Sequence, residues 1–484
     1  MSLTSALSSA MSGIRAVSRG SEVVSGNIAN ANTAGYVRRT LSVSSDSGGG
    51  AVGVRINGIT RHVDQQIIND RRLAEAETGY RSETAAALTR IEDLVGTPDN
   101  PASLAARISD FEQSLITASS RPDAAERLTA AAFAAKDLAQ SINSVAQGIQ
   151  DARTQADHSI NTQVKRLNDA LKGVETLNAR IVASNVNDID LPALEDQRQQ
   201  FIDEISEMVP VRTIPRDRGA VSLYSVGGAI LLEGQAVEVG FEPANLVTPY
   251  ESIDDGTLSG LTLNGISVNT SSANGRLHGG TLGAQFEIRD EIAPKAQLQI
   301  DAVARDLIER FEDSTVDSTL GVGDAGLFTD ANNPMDPAAE VGLASRLSLN
   351  ALVDPDQGSE TWRMRDGLGA TTPGEAGDAT LLIALTDVLE TTRPQASTQF
   401  GSAPLSLKDI VVSMSSQIGT ERLRADRQMS FASAQFAELQ QVELAAGVDT
   451  DVEIQNLMIL EQAYAANARV ISTVDEMFDM ILRI

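Results

Sequence analysis

The chain has 484 residues and a net charge of −28 at pH 7, from 66 acidic against 38 basic side chains, a balance that disfavours nucleic-acid backbones and anionic membrane surfaces as partners. It contains no cysteine, which removes disulfides and thiolate metal ligands from consideration, and its 4% aromatic content points to helices packed through small aliphatic side chains. No run approaches the roughly eighteen apolar residues of a membrane span, and the first residues lack the continuous apolar core of a cleaved leader.

From the N-terminus, Leu3, Leu7, Ala10, Ile14, Val17, Ser21, Val24 and Ile28 recur at steps of three and four, the seam of a heptad helix. The helix runs into Asn27-Ile28-Ala29-Asn30-Ala31-Asn32-Thr33-Ala34-Gly35-Tyr36, where Asn and Gly tolerate positive φ and Asn and Thr side chains can satisfy the orphan groups of a helix end. Residues 37–58 are rich in Ser and Gly, with short alternations at Val52, Val54 and Ile56, and read as a flexible or β-hairpin connector.

Helical periodicity then dominates from Arg61 to about Val209. Between Pro122 and Pro192 no proline interrupts it, which predicts a rod of about sixty residues and, at about 1.5 Å per residue, of order 90 Å. Its heptads run from Leu128 to Ala156 and resume at Ile160 after a phase slip of the stutter kind. After Pro210 short β-like runs separated by Gly and Asn turns, such as Asn264-Gly265, occupy 211–278. Helix returns at Thr281–Asp313 and, after a Gly/Pro/Asp-rich loop, over 376–445.

The last stretch repeats the three-and-four rhythm at Leu457, Leu460, Tyr464, Asn467, Ile471, Val474, Phe478 and Ile481, widened by Ala463, Val470 and Met477. Thr450 with Glu453 is a candidate capping box at its start. The two terminal heptad helices fit either a split coiled-coil domain or two ordinary amphipathic helices on a globular core. The fold class predicted is mainly α: a terminal coiled-coil domain (1–55 with 446–484), a long helical-bundle domain (56–210 with 279–445) and a small inserted β domain (211–278).

Candidate chemistry is sparse. His62, His158 and His278 fall in separate segments, so neither a metal nor a general-base role is assigned. Gly321-Val322-Gly323-Asp324-Ala325-Gly326 spells a dinucleotide fingerprint, but no buried strand precedes it and no helix follows, so a loop is expected. No catalytic, cofactor-binding or metal residue is predicted, and no cofactor.

The motif around Asn27, Asn30, Asn32, Thr33, Gly35 and Tyr36 resembles the N-I-A-N-x-N-T-x-G-Y signature of the flagellar axial family, which includes rod, hook and hook-associated proteins. Gly447-Val448-Asp449, Gln462-Ala463-Tyr464, Ala466-Asn467-Ala468 and Val470-Ile471-Ser472-Thr473 resemble that family's C-terminal motif. The helical middle, with Ser103-Leu104-Ala105 and Leu194-Glu195-Asp196-Gln197-Arg198, is similar to hook-associated members more than to the short middles of rod proteins or the β middles of hook proteins. The resemblance implies a non-enzymatic structural part of the extracellular flagellum at the hook–filament junction, exported by the flagellar type III apparatus. It implies self-assembly into a ring through the two terminal seams, with hook protein on one side, the next hook-associated protein on the other, and an export chaperone on the C-terminal helix. The readings left open are another axial component, such as hook or distal rod protein, and a wall hydrolase with axial termini, which lacks a constellation of nucleophile, base and acid.

Overall fold

The computed structural model describes residues 3–31, 33, 36–46, 53–97, 99–184, 191–271 and 275–482. Helix α1 (Leu3–Ala29) is followed by an antiparallel hairpin, β1 (Arg39–Asp46) and β2 (Gly53–Arg61), then α2 (Gln65–Val95) and α3 (Leu104–Ser119). Asp64 caps α2 by accepting from Gln66 N and Ile67 N, and Ser103 caps α3 through Ala106 N. The connector at 37–58 is thus a hairpin that continues to Arg61, with a register shift at Ser42/Val43; the Gly48–Gly50 stretch lies outside the described residues.

The rod expected from the proline-free stretch is α4 (Ala125–Ala183), 59 residues long. It serves two separate cores. Its first half, from Leu128 to Ile149, packs with α3, the end of α2, and elements further along the chain that include Phe311 and Phe328. Phe111, Phe311 and Phe328 stack there edge-on or tilted, at centroid distances of 5.1 to 6.0 Å. Its second half, from Ile160 to Val174, packs with α5 (Leu191–Met208) and the β segment.

Between the two cores, where the phase slip falls, the buried face of α4 turns polar with Gln150, Arg153 and Asp157. Arg153 donates to the carbonyls of Arg289 (3.0 Å), Thr248 (2.9 Å) and Glu251 (2.8 Å), and Asp157 accepts from Arg289 (2.7 Å) and from Ala244 N (2.7 Å). A buried charge that meets this many partners is tolerated, and the belt ties the loop at 244–251 to the rod.

The β segment holds β3 (Val211–Pro215), β4 (Val221–Ser225), β5 (Ile230–Glu233) and β6 (Gln235–Ala236) in one sheet, in that order, and β7 (Val239–Gly240), β8 (Leu261–Leu263) and β9 (Ile266–Val268) in another. Asn264 and Gly265, both at positive φ, form the β8–β9 turn, a conformation that Asn tolerates and that Gly, without a Cβ, adopts freely. Leu223, Leu231, Leu232, Val239 and Leu261 belong to the same core cluster as Ile160, Leu167 and Leu171 of α4, so these strands share the core of the rod.

Helix α6 (Gly280–Glu287) passes through a π turn at Ile288–Ile292 into α7 (Ala293–Phe311). Then come β10 (Phe328–Asp330), α8 (Leu343–Arg346), β11 (Leu347–Leu349), α9 (Arg363–Asp366), α10 (Thr380–Glu390), α11 (Leu407–Ala445) and α12 (Thr450–Leu482). The expected single helical stretch over 376–445 is therefore two helices. The break contains Pro394, Gly401 and Pro404, and Arg393 pairs with Leu405 across it; a new capping box of Ser406 and Asp409 restarts the helix. The G-x-G-x-x-G stretch lies in the loop between α7 and β10. Helices α2 and α11 run side by side, and α1 lies along α12 against the hairpin.

Candidate assembly interface

The two terminal heptad helices do meet, as an antiparallel pair. A Cβ placed on Gly13 would come within 2.9 Å of Asn467 Oδ1, one on Gly20 within 3.2 Å of Leu460, and Asn27 bonds to Glu453. Rising numbers on α1 meet falling numbers on α12, and the glycines let the backbones approach closely.

The contact uses a row of α1 that shares Ala10 and Val24 with the expected one and otherwise differs from it. Buried are Ala10, Gly13, Ala16, Gly20, Val23, Val24 and Asn27, whereas Leu3, Leu7, Ile14, Val17 and Ile28 are only half-buried. The helices pack through the smaller side chains, and the larger apolar ones are displaced onto the flank. On α12 the expected row is closer to the contact: Val474 is buried, and Leu457, Leu460, Asn467, Ile471 and Phe478 are half-buried. Tyr464 and Ile481, assigned to the same seam, are 47% and 56% exposed and do not join it.

A second row on α12, Val452, Ile459, Val470 and Met477, faces solvent, with Ile459 63% exposed. Ile459 borders an open apolar groove of about 440 Å³ whose floor is Gly13, Ala16, Gly20 and Val23 and whose far wall is Leu41, Val43 and Val54 of the hairpin. The pair therefore covers one stripe of each helix and leaves heptad-spaced apolar surface beside it, the arrangement of a helix pair that takes further helices.

At the base of the pair the motif residues form a polar knot. Asn27, fully buried, donates to the carbonyl of Arg39 (2.8 Å) and to Glu453 Oε2 (3.1 Å), and its Oδ1 accepts from Arg39 N (3.0 Å) and the Tyr36 hydroxyl (3.0 Å). Glu453, 1% exposed, also accepts from Arg38 Nε at 2.7 Å. Burial raises the Tyr36 hydroxyl pKa above its ordinary value, so it stays a donor. Asn30 Nδ2 bonds back to Gly26 O (2.9 Å), and Thr33 N to Asn30 O (2.9 Å), which turns the chain out of α1. Asn32 and Gly35 lie outside the described residues.

Glu453 was missed as a functional residue because its place near the helix start suggested a cap. Instead Asp449 caps α12, accepting from Asp451 N (2.9 Å) and Val452 N (3.1 Å). The available signal was phase: Glu453 stands one heptad before Leu460, Asn467 and Val474, so it points into the seam.

Among the described residues no group of three or more His, Asp or Glu side chains is placed to hold a metal ion, and no helix is long and apolar enough to cross a membrane. His278 lies edge-on to Tyr80, ring centroids 5.1 Å apart.

Three family models match the chain in order. "Flagella basal body rod protein" covers residues 7–36, "Flagellar hook-associated protein FlgK helical domain" covers 88–324, and "Flagellar basal body rod FlgEFG protein C-terminal" covers 440–484. The chain is 25% identical to flagellar hook-associated protein 1 of Escherichia coli (strain K12), over 100% of both chains. It is 22% identical to that of Bacillus subtilis (strain 168), over 94% of this chain and 93% of the relative. A solved structure of the flagellar hook junction protein FlgK from Burkholderia pseudomallei aligns with a TM-score of 0.44 at 18% identity, over 54% of this chain and 46% of that one. With rod-type models on both terminal helices, the helical-domain model on the rod between them, and a relative aligned end to end, the chain belongs to the flagellar rod and hook axial protein family, in its hook-associated protein 1 branch.

Proposed function

We propose that this chain is a structural subunit of the bacterial flagellum that joins hook to filament through its terminal helices. The observation that carries the reading is the α1–α12 pair itself. It is built from the segments that match the axial models, it is closed on one side, and on the other it exposes Val452, Ile459, Val470 and Met477. Copies stacked by one repeated rotation would bury this surface in a heterologous contact.

In this reading residues 1–55 and 446–484 make the terminal coiled-coil domain, 56–210 and 279–445 the helical body, and 211–278 a β domain set on the second half of α4. The subunit assembles with other axial flagellar components as a ring between hook protein and the next hook-associated protein, outside the cell, after export with a chaperone on α12. Between subunits the contact is carried by Leu3, Leu7, Ile14, Val17 and Ile28 on the flank of α1 and by the exposed Val452, Ile459, Tyr464, Val470, Met477 and Ile481 of α12, while Val24, Leu457, Leu460, Asn467, Ile471, Val474 and Phe478 hold the pair within one subunit. Its test is an electron micrograph of cells lacking the protein. Hooks without filaments are expected, whereas missing hooks would assign the chain to the rod or the hook instead.

A further inference from the structure

At the level of the π turn the two flanks of the body carry surfaces of opposite character. On the helix that runs from α6 into α7, Phe286 and Asp290 line an open cleft of about 1110 Å³. Ile288 and Ile292, each two residues on, lie on the opposite side of that helix. There Ile288 packs with Ala87 of α2 and Ala156 of α4, and Ile292 packs against the cluster of Ala85 and Leu88 of α2 with Ala425 of α11. Cleft and α11 therefore stand at one level along the rod, on opposite flanks.

The cleft is acidic over an apolar floor. Phe241, Phe286 and Leu261 form the floor, the carboxylates of Glu242, Asp254, Asp290 and Glu291 line it, and no Lys, Arg or His side chain does. Arg289 holds Asp290 through both oxygens, at 2.8 and 3.0 Å, and lies over the Phe286 ring, 5.0 Å from its centroid, so this wall is set before anything binds. On the other flank, the buried residues of α11 beyond Ile418 are Ala425 and Ala432, and its outer stripe is uncovered. Leu423 and Phe431 are 46% and 73% exposed, and Arg424 and Arg427 stand between them at helical spacing. Arg422 joins Glu92 and Asp426, and Glu421 joins Lys295, which leaves the exposed Arg424 and Arg427 without an ion pair among the described residues.

We propose that the Arg424, Arg427 and Phe431 stripe of one subunit docks in the acidic cleft of the next, joining the bodies side by side. This rests on the reading of the chain as a self-assembling subunit and adds a contact that takes no residue from α1 or α12. Phe431 supplies an aromatic anchor of the kind that dominates interfaces, set on the floor of Phe241 and Phe286, while Arg424 and Arg427 meet the exposed Glu242 and Asp254 at the rim. Copies of a chain with net charge −28 otherwise repel, so an unpaired basic stripe facing an acidic cleft selects this one approach. Because the two surfaces differ and share a level, one repeated rotation brings each stripe to the next cleft, a head-to-tail contact that closes into a ring.

The full chain has no cysteine, so Asn269→Cys on the cleft rim and Ala434→Cys on the stripe, both exposed positions, supply its only thiols. In flagella isolated from cells carrying the double variant, a short bis-maleimide should link the chain into a ladder of dimers and higher multimers, while either single variant should stay unlinked. Arg424→Glu with Arg427→Glu should abolish the ladder and cut the number of filament-bearing hooks several-fold, with the circular dichroism of the purified chain unchanged. Adding Glu242→Arg with Asp254→Arg should restore both. A double-cysteine chain incorporated without a ladder, filament numbers untouched by the arginine reversal, or no rescue by the paired reversal would overturn the contact and leave the junction reading standing. Absence of the native chain from isolated flagella would instead defeat that reading, and the contact with it.

Discussion

Asp301 shows how burial turns one carboxylate into a pH-dependent term. It is fully buried on α7 and accepts from Gly342 N (2.8 Å), Ala344 N (2.9 Å) and Gln297 Nε2 (2.9 Å), holding the start of α8 to α7. Those donors favour the charged form, but desolvation is the larger effect and pushes its pKa up to about 6. Between its ordinary value of about 3.9 and that raised value, the folded chain holds a proton that the unfolded chain has lost, so stability falls as pH rises through the interval, by about 1.4 kcal/mol per unit. Above about 6 the full cost is present. Asp301→Asn removes this dependence. In chemical denaturation the stability of the native chain relative to the variant should rise by roughly 2 to 3 kcal/mol between about pH 7 and about pH 4. A constant difference across that range would mean that the donors, rather than burial, govern Asp301.

At the same scale, the sequence motif exposed Asn27 and Tyr36 but not what they hold. Asn27 uses all four of its hydrogen-bonding positions, yet one partner, Glu453, is 426 positions away along the chain. Asp196 was legible only as part of a family-like run, because its partners Arg39 and Arg61 come from a hairpin whose docking no local pattern encodes.

Among the elements, those set by local rules were readable. The 59 residues of α4 follow from the absence of proline, and the β8–β9 turn from Asn-Gly. Which row of α1 faces α12 was not readable, since a search for apolar residues selects Leu7 and Ile14, whereas close packing selects Gly13, Ala16 and Gly20. That choice is testable. Gly13→Val places a branched side chain where a Cβ alone would already stand 2.9 Å from Asn467, an overpacking that costs about 1 to 3 kcal/mol. Amide hydrogen exchange should quicken throughout α1 and α12 and stay unchanged in α4, while Ser18→Val, on the open side, should have little effect. Equal protection in the native chain and Gly13→Val would place the contact on the Leu7 and Ile14 row after all.

Across the whole molecule, the rod joins two cores around a polar belt, the hairpin and α5 meet through ion pairs, and a regularly spaced apolar row is left uncovered on α12. The belt falls near Ala156, where the heptads of α4 change phase; that the β strands would share the core of the rod was not visible, because their turns suggested a separate unit. The central claim is that the uncovered row on α12 is satisfied only by assembly. Ile459 is 63% exposed, so Ile459→Asp should leave the single subunit folded, with its thermal midpoint near that of the native chain. Desolvating a carboxylate at each repeated contact is unfavourable, and the penalty recurs in every subunit. The most direct measurement is electron microscopy of cells whose only copy of the gene carries Ile459→Asp. The account predicts hooks without filaments; filaments of normal number and length, with the variant incorporated, would contradict it.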